Sequence, residues 1–497
     1  ATFALGAGCS HPIEWGGDDE PPIDPYPLPT GGNGGRAGAG GRAGAAGAAG
    51  QGGQAGGGGA AGAVGGDLLD RLRAVAGVAA VEELAPGADS ERAITFTIEQ
   101  PIDHARPELG TFAQRVHLLH RGEVVPTVLT STGYQLFSRR PYDSEPSVLL
   151  GGNSLTVEHR FFGASTPLRQ GGEPAPEAWA YLTIEQAAAD HHRVVEALKP
   201  LYPGAWLSTG ASKGGMASVF HRRFYPDDVR GTVAYVAPHS FGVDDQRYVA
   251  FQRDLLARRD ELLPLYASAA APGLTFEAVG VERAFEHMAQ ELRFAFWQYA
   301  DPSDCAALPA PGAPAEEALA ALELHAPSSV ASDQSLRSVE GFASYYFQAA
   351  TELGSYGPLE LHLEDLLRFP RTYSVELYAP PAPNRRFDPA PMFDVGAWVA
   401  GEAERIIFVY GEYDPWSAGA FATGDGAARD VHTFVVPGGN HGSFLTHPAM
   451  PDEAMNEAVS VLRSWAGVTP VRPPSVERAR RGVTPPWAQL PPIRPRL

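Results

Sequence analysis

The feature that most constrains the fold of this chain is a buried strand, a sharp turn and a helix predicted within Ala205–Gly215, which reads AWLSTGASKGG. Ser212 falls at the tip of the turn, between Gly210 and Gly214. Small residues two positions before and two positions after a serine let strand and helix pack closely around a strained turn that presents the hydroxyl. Because the chain contains 56 glycines, this pattern needs support from its surroundings.

The surrounding sequence predicts an α/β fold with a mostly parallel sheet. Short apolar or β-branched runs, several without polar alternation, are typical of strands covered on both faces. Helical stretches at Glu177–Leu198 and Lys213–Tyr225 separate several of these runs, in the β-α-β order of such a fold. The predicted strands are Pro126–Thr132, Ser147–Gly151, Leu155–His159, Ala205–Thr209, Val229–Ala237, Ile406–Tyr410 and Val431–Val436.

A short helix at Leu68–Val75 and an antiparallel hairpin are predicted to precede this sheet. In the hairpin segments, Ala93–Glu99 and Phe112–Arg121, apolar and polar residues alternate around a loop that contains Pro and Gly. That period of two is typical of strands with one buried face.

Residues 244–390 are predicted to form a helical cap inserted into the sheet domain, because the strand pattern stops there. The sheet domain is then built from residues 67–243 and 391–469, and it finishes with a helix at Pro451–Trp465. The amphipathic stretches of the cap are Tyr248–Ala267, Glu282–Tyr299, Ala315–Leu324, Gly341–Leu353 and Leu359–Leu367.

Both ends of the chain are predicted to be extended segments without catalytic residues. Residues 1–66 include Cys9, which follows small residues as a lipidated cysteine does, and a Gly/Ala tract from Gly31 to Gly66 that predicts a flexible tether. Residues 470–497 are rich in Pro and Arg. We expect a secreted or periplasmic, cell-envelope protein; lipidation of Cys9 and a plain secreted N-terminus are both left open.

Composition excludes several classes of function. A formal charge of −20 argues against nucleic acid or an anionic membrane surface as a partner. No apolar run is long enough for a transmembrane helix. With only Cys9 and Cys305, the chain cannot build a disulfide framework or a cysteine-based zinc site, and no histidine motif predicts a metal or cofactor.

An acid and a histidine follow Ser212 in the order that serine hydrolases of the α/β type use. Asp414 lies just beyond the predicted strand Ile406–Tyr410, and His441 lies in a glycine-rich loop after the next strand. A serine hydroxyl needs a base to take its proton, and the base needs a third group to hold its tautomer. We therefore predict Ser212, His441 and Asp414 as the catalytic residues, with Glu412 as the alternative acid.

The oxyanion of such a reaction needs two hydrogen-bond donors. The backbone N–H of Lys213, directly after the nucleophile, is predicted as one donor. The backbone N–H of Gly133 or Tyr134, after the strand that begins at Pro126, is predicted as the other. We expect the charged side chain of Lys213 to reach solvent or a nearby carboxylate.

The segment Val157–Pro167 carries charged residues at a strand end, followed by two aromatic residues. Burying charges without partners is costly. Glu158 and Arg160 are therefore expected either to form a structural ion-pair network or to line the substrate pocket, and both alternatives stay open.

With these residues located, residues 85–470 resemble the secreted bacterial tripeptidyl aminopeptidases of the prolyl tri/tetrapeptidyl type, which are serine exopeptidases with an α/β-hydrolase core and a helical cap. The first segment listed below is also similar to the lysosomal Pro-X carboxypeptidases and their dipeptidyl peptidase relatives. The segments that carry the resemblance are 157–163 (VEHRFFG), 210–216 (GASKGGM), 221–229 (HRRFYPDDV), 233–238 (VAYVAP), 345–354 (YYFQAATELG) and the Asp414 and His441 loops.

The resemblance implies that Ser212 is the nucleophile, His441 the base and Asp414 its partner, and that short peptides are released from free N-termini. An exopeptidase needs a carboxylate for the substrate ammonium group, and Glu158, Glu340 and Glu352 are the candidates. A carboxylic-ester hydrolase on the same fold and a non-catalytic surface binding protein are the alternative functions. No cofactor is expected, and the oligomeric state is left open.

Overall fold

The computed structural model describes residues 67–468, except for 86–91, 171, 241, 243–257, 270–272, 301–303, 305–306, 311, 358–359, 361–362 and 364. Cys9, the predicted tether, Cys305 and the predicted tail at 470–497 all lie outside the described residues. The residues described from Leu68 onward belong to one compact unit.

Nine strands form the central sheet, in the order β1-β2-β3-β5-β4-β8-β9-β10-β11. The sheet strands are β1 Val78–Leu84, β2 Arg92–Pro101, β3 Thr111–His120, β4 Thr127–Ser131, β5 Asn153–Val157, β8 Trp206–Ala211, β9 Thr232–Tyr235, β10 Ile406–Gly411 and β11 Val431–Val436. The short pair β6 Arg169–Gln170 and β7 Glu173–Pro174 stands apart from this sheet.

The sheet is antiparallel from β1 to β5 and parallel from β5 to β11. This topology, with helices on both faces, is that of the α/β-hydrolase fold, and the fold prediction is confirmed. The β2–β3 hairpin was predicted, and β1 is an additional edge strand whose burial pattern shows little of the alternation that would have revealed it.

Some helices of the described residues pack on the two faces of the sheet, and others form the region that the chain inserts between β9 and β10. In chain order the helices are α1 Leu68–Arg73, α2 Glu145–Leu150, α3 Ile184–Leu198, α4 Lys213–Phe224, α5 Arg259–Ala269, α6 Val281–Tyr299, α7 Ala315–His325, α8 Asp333–Leu336, α9 Ala343–Gln348 followed by a π turn at Ala349–Leu353, α10 Val375–Tyr378, α11 Ala390–Gly401 and α12 Asp452–Ala466.

The strand predicted at Ser147–Gly151 is wrong, because this segment is part of α2. Ser144 caps the N-terminus of the helix by accepting a hydrogen bond from the Ser147 N–H. Gly151 ends it in the left-handed conformation, with φ of 61°. Both signals are typical of helix ends, and they outweigh the apolar run between them.

The predicted helical region between β9 and β10 contains helices and no strand among its described residues. The predictions for α6 and α7 are correct to within a residue or two at each end. The helix predicted at Leu359–Leu367 is wrong: its described residues form turns, in which Leu363, Leu366 and Leu367 still bury their side chains against Ala289. Only the second half of the helix predicted at Tyr248–Ala267 lies within the described residues.

The core lies on both faces of the parallel strands, and β10 shows how the sequence achieves this. Ile406, Phe408 and Tyr410 pack with α4 and α11 on one face. Ile407 and Val409 pack with α2 and α12 on the other. Since successive side chains of a strand point to opposite faces, an uninterrupted apolar run serves both layers. Each fully buried side chain of this size stabilises the fold by about 1.5–3 kcal/mol.

A buried carboxylate joins α2 to the loop that carries His441. Glu145 accepts hydrogen bonds from the Leu445 and Thr446 N–H groups at 2.9 and 2.7 Å. The hydroxyls of Thr446 and Tyr235 also donate to it, at 2.6 and 2.7 Å. Four donors on one buried carboxylate fix the loop just after His441 to the sheet.

Candidate active site

Ser212 lies at the turn between β8 and α4, in a conformation that few residues other than glycine adopt. Its φ is 53° and its ψ is −126°. The neighbouring glycines are required by close packing: a Cβ at Gly210 would clash with the Gly214 carbonyl, and a Cβ at Gly214 would clash with the Ser131 carbonyl. The strand and helix therefore touch backbone to backbone, and the strained turn between them presents the Ser212 side chain.

Asp414 and His441 meet in a fully buried pair. Asp414 Oδ2 lies 2.7 Å from His441 Nδ1, and both side chains have no exposed surface. The other carboxylate oxygen, Oδ1, accepts the Trp416 N–H at 3.0 Å. Asp414 therefore caps the short helix that follows it and orients the imidazole with the same carboxylate.

Glu412, the alternative acid, is occupied elsewhere. Its Oε2 accepts the Gly438 N–H at 2.7 Å, which holds the loop before His441 rather than the imidazole. The geometry thus assigns the contact with His441 to Asp414.

The remaining imidazole nitrogen is left open for a reaction partner. Among the described residues, His441 Nε2 is buried and has no hydrogen-bond partner. Ser212 is 8% exposed, and its side chain lies close to the Tyr134 hydroxyl. In hydrolases without substrate, the bond between nucleophile and base is often long and forms only in the reacting complex.

Tyr134 approaches the nucleophile with its side chain, not with its backbone. The Tyr134 N–H donates to Thr132 Oγ1 at 3.2 Å, so it is not free to bind an oxyanion. The Tyr134 hydroxyl instead lies close to the Ser212 side chain and to the Lys213 N–H. Burial raises the pKa of this phenol to about 12, so that it keeps its proton at neutral pH. The Tyr134 N–H, one of the two alternatives for the second oxyanion donor, is therefore already bonded to Thr132, and the Gly133 N–H stays a prediction.

Gly133 serves a packing role at the same turn. Its φ is 69°, and a Cβ there would clash with the backbone of Gly214 and Lys213. Its carbonyl accepts a hydrogen bond from Lys213 Nζ at 2.7 Å.

The expectation that the Lys213 side chain reaches solvent or a carboxylate is wrong. The residue is 2% exposed, and its Nζ lies 4.8 Å from the centre of the Phe162 ring. Burial lowers the pKa of Lys213 well below its usual value. This lysine therefore ties the helix after the nucleophile to the Gly133 turn.

Glu158 and Arg160 form structural networks and do not line the cavity beside Ser212. Glu158 accepts the Leu136 N–H at 2.8 Å and the Ser165 hydroxyl at 2.7 Å. Arg160 binds Asp190 with two parallel hydrogen bonds of 2.7 Å. Of the two alternatives left open by the sequence, the structure favours the ion-pair network.

Glu340 and Glu352 also lie away from that cavity. The Glu340 side chain is 62% exposed and lies 4.0 Å from Arg169. Glu352 accepts the Ile184 N–H at 2.6 Å. None of the three carboxylates predicted for the substrate ammonium group therefore lines the space that a substrate would enter.

A cavity with about 1200 Å³ of empty space, its open mouth included, lies beside Ser212. Helices and loops between β9 and β10 supply most of its lining, and tyrosine rings form much of the wall. Among the described lining residues, Glu291 is the one carboxylate. The sequence analysis did not predict a role for Glu291. It shares one face of its helix with Met288, Ala295 and Gln298, and a single charged residue among uncharged ones on that face could have indicated a functional carboxylate.

The described residues hold no group of three or more His, Cys, Asp or Glu side chains arranged to bind a metal ion. Nor does any helix within them have the length and apolar character needed to cross a membrane.

Comparisons with known proteins agree with this geometry. A family model described as PS-10 peptidase S37 matches residues 61–489. Over 444 residues, the chain is 39% identical to the prolyl tri/tetrapeptidyl aminopeptidase of Streptomyces mobaraensis, covering 85% of this chain and 90% of that protein. A shorter match, 36% identical over 86 residues, relates 16% of the chain to 17% of the human lysosomal Pro-X carboxypeptidase.

Solved structures similar to this chain include a hydrolase from Pseudomonas aeruginosa, with 16% identity, a TM-score of 0.32, and coverage of 78% of this chain and 99% of that one. A peroxisomal α/β-hydrolase from Saccharomyces cerevisiae has 12% identity and a TM-score of 0.36, with coverage of 79% and 95%. The family model and the alignment with the Streptomyces relative each cover most of the chain. This chain therefore belongs to the peptidase S37 family.

Proposed function

We propose that this chain is a serine exopeptidase that releases short peptides, chiefly tripeptides and including those with proline, from free N-termini. The observation that carries the proposal is the buried Asp414–His441 pair, together with an elbow serine that lines a cavity. The name of the Streptomyces relative, a prolyl tri/tetrapeptidyl aminopeptidase, supports the substrate class.

In the proposed reaction, Ser212 Oγ attacks the carbonyl carbon of the scissile peptide bond while His441 Nε2 takes its proton. The unpartnered state of that nitrogen supports this role. Asp414 keeps the proton of the imidazole on Nδ1 and stabilises the imidazolium that forms. His441 then protonates the leaving amine, and a water molecule that His441 activates hydrolyses the acyl-enzyme to release the N-terminal peptide.

The negative charge on the carbonyl oxygen is proposed to be stabilised by the Lys213 N–H and the Tyr134 hydroxyl. These two groups lie close to each other beside Ser212. An oxyanion placed between them would accept from both, at the N-terminus of α4, where the helix dipole also favours negative charge.

We propose that residues 244–390 act as the cap that limits which peptides reach Ser212. The support is that Glu291, Tyr346 and Tyr373, on three separate elements of this region, line the cavity together with Ser212. A cap that closes the far side of a cavity admits chain ends and excludes chain interiors.

The first test compares peptides with free and with blocked N-termini. Mass spectrometry of the products should show tripeptides released from free N-termini, with tetrapeptides and dipeptides as minor products, and little release after acetylation. A matched set of short-chain p-nitrophenyl esters serves as the control substrate. Cleavage within chain interiors, or turnover of the esters alone, would contradict the exopeptidase proposal.

The triad is tested by single substitutions. Ser212→Ala should lower kcat by about 10⁶-fold, and Asp414→Asn by about 10⁴-fold, because the imidazole loses its orientation. Glu412→Gln is the matched control, because the glutamine still accepts a hydrogen bond from the Gly438 N–H. Its kcat should remain within about tenfold of that of the unchanged enzyme, a much smaller loss than those expected for Ser212→Ala and Asp414→Asn. Steady-state kinetics and labelling by a fluorophosphonate provide the measurement; a larger loss in Glu412→Gln than in Asp414→Asn would reverse the assignment.

The Tyr134 hydroxyl is tested by Tyr134→Phe. Loss of one oxyanion donor should lower kcat by about 10²- to 10³-fold with little change in KM. Tyr202→Phe is a matched control, since it removes a buried hydroxyl that hydrogen-bonds His120 at 3.1 Å in the core. Equal kcat values for the two variants would rule out the role of Tyr134.

We propose that the enzyme works outside the cytoplasm and is held at the cell envelope through Cys9. The support is the run of small residues before Cys9 and the Gly/Ala tract after it. In a bacterial host that lipidates such cysteines, the enzyme should partition with membranes, and Cys9→Ser should move it to the soluble fraction with kcat unchanged. An identical distribution of both forms would contradict the anchor.

A further inference from the structure

We propose that Glu291 binds the α-ammonium group of the peptide substrate and so makes the enzyme select free N-termini. This inference rests on the exopeptidase function proposed above, and it assigns to one residue the recognition of the chain end.

Glu291 is held by two phenols in the wall of the cavity. Both the Tyr356 and the Tyr373 hydroxyls donate to Glu291 Oε2, the latter at 2.5 Å. The two phenol oxygens are themselves 2.9 Å apart. This arrangement fixes the carboxylate on α6 without neutralising it, because phenols donate hydrogen bonds but carry no positive charge.

Glu291 is half-buried, and its carboxylate lacks the cationic partner that a charge in such a place normally has. Within the described part of the chain, no arginine, lysine or histidine pairs with Glu291, whereas the buried Glu286 on the same helix has both backbone donors and a nearby cation. Glu286, one turn earlier, accepts the Arg368 and Phe369 N–H groups and lies 3.9 Å from an Arg259 nitrogen. Burial raises the pKa of Glu291 to about 7. A cation bound beside it would offset the cost of that charge.

The cavity around Glu291 suits an ammonium group on an otherwise apolar chain. Tyr345, Tyr346 and Tyr378 line it, and tyrosine faces attract cations. An ammonium group forms three hydrogen bonds, and a carboxylate supplies strong, charge-assisted acceptors for them. A carboxylate or an uncharged, blocked N-terminus would gain neither interaction.

The distance between the Glu291 region and His441 is within the reach of a short peptide. The Trp416 ring lies 6.1 Å from the His441 ring and 5.5 Å from the Tyr356 ring, so these two steps set an upper limit on the separation of His441 and Tyr356. Two such ring-to-ring steps are comparable to the roughly 10 Å that three extended residues span. The N-terminus of a tripeptide whose third carbonyl lies at Ser212 would therefore reach the Glu291 region.

The experiment compares Glu291→Gln with the unchanged enzyme on two chromogenic tripeptide anilides, one with a free and one with an acetylated N-terminus. Glu291→Gln should lower kcat/KM for the free peptide about 10- to 100-fold and leave the acetylated peptide unchanged or faster. Glu291→Asp, which keeps the charge, should retain part of the preference for the free peptide. The matched control is Glu340→Gln, an exposed carboxylate of the same region, which should behave as the unchanged enzyme.

The outcomes separate this inference from the proposed function. If the unchanged enzyme prefers the free N-terminus and Glu291→Gln keeps that preference, Glu291 is not the anchor, although the exopeptidase function stands. Equal losses on both peptides in Glu291→Gln and Glu291→Asp would likewise reject the inference and assign Glu291 a structural role. If the unchanged enzyme shows no preference, both proposals fail. If Glu291→Gln does not fold, Glu291→Asp decides the question through its ratio of kcat/KM for the free peptide to kcat/KM for the acetylated peptide. A ratio equal to that of the unchanged enzyme would contradict the inference, because the shorter side chain moves the carboxylate away from the ammonium group.

Discussion

The backbone contact between the start of α4 and the neighbouring strands is the constraint on which the rest of the site depends. Gly210, Gly214 and Gly133 meet there without side chains, and a methyl group at any of them would clash with backbone atoms. The contact holds Ser212 at a positive φ and places the Lys213 N–H close to the Tyr134 hydroxyl. The cost of that strained backbone is offset by the packing of β8 and α4 in the core on either side.

A second constraint links the cap region to the base. The carbonyl of Gln298, at the end of α6, accepts the His441 N–H at 3.0 Å. The Glu145 network holds the loop from its other end. Because Glu291 lies on the same helix as Gln298, the helix that contacts the His441 loop also carries the proposed anchor for the substrate. If the proposal for Glu291 is correct, one helix sets both the position of the substrate chain end and the position of the base.

Local patterns in the sequence predicted the fold and the contact between Asp414 and His441, because chain order and strand ends suffice to bring these two residues together. The apolar runs of β8 to β11 correctly predicted the parallel sheet. The apolar run at Ser147–Gly151 wrongly predicted a strand, because the capping residues Ser144 and Gly151 make this segment a helix. Side-chain direction lies beyond such patterns. The Tyr134 hydroxyl, the buried Lys213 amine and the partnering of Glu158 all depend on contacts between segments far apart in sequence.

The same limit explains why the carboxylate in the cavity was not predicted. Glu158 stands beside a conspicuous motif, yet its oxygens are used by Leu136 and Ser165. Glu291 has no motif, and its importance arises only when α6, Tyr356 and Tyr373 come together around one cavity. The most direct test of the central claim is intact-protein mass spectrometry of acid-quenched turnover of a peptide with a known N-terminal tripeptide. The account predicts a transient adduct of that tripeptidyl mass on the fragment containing Ser212; turnover with no adduct there, or with an adduct on another residue, would contradict it.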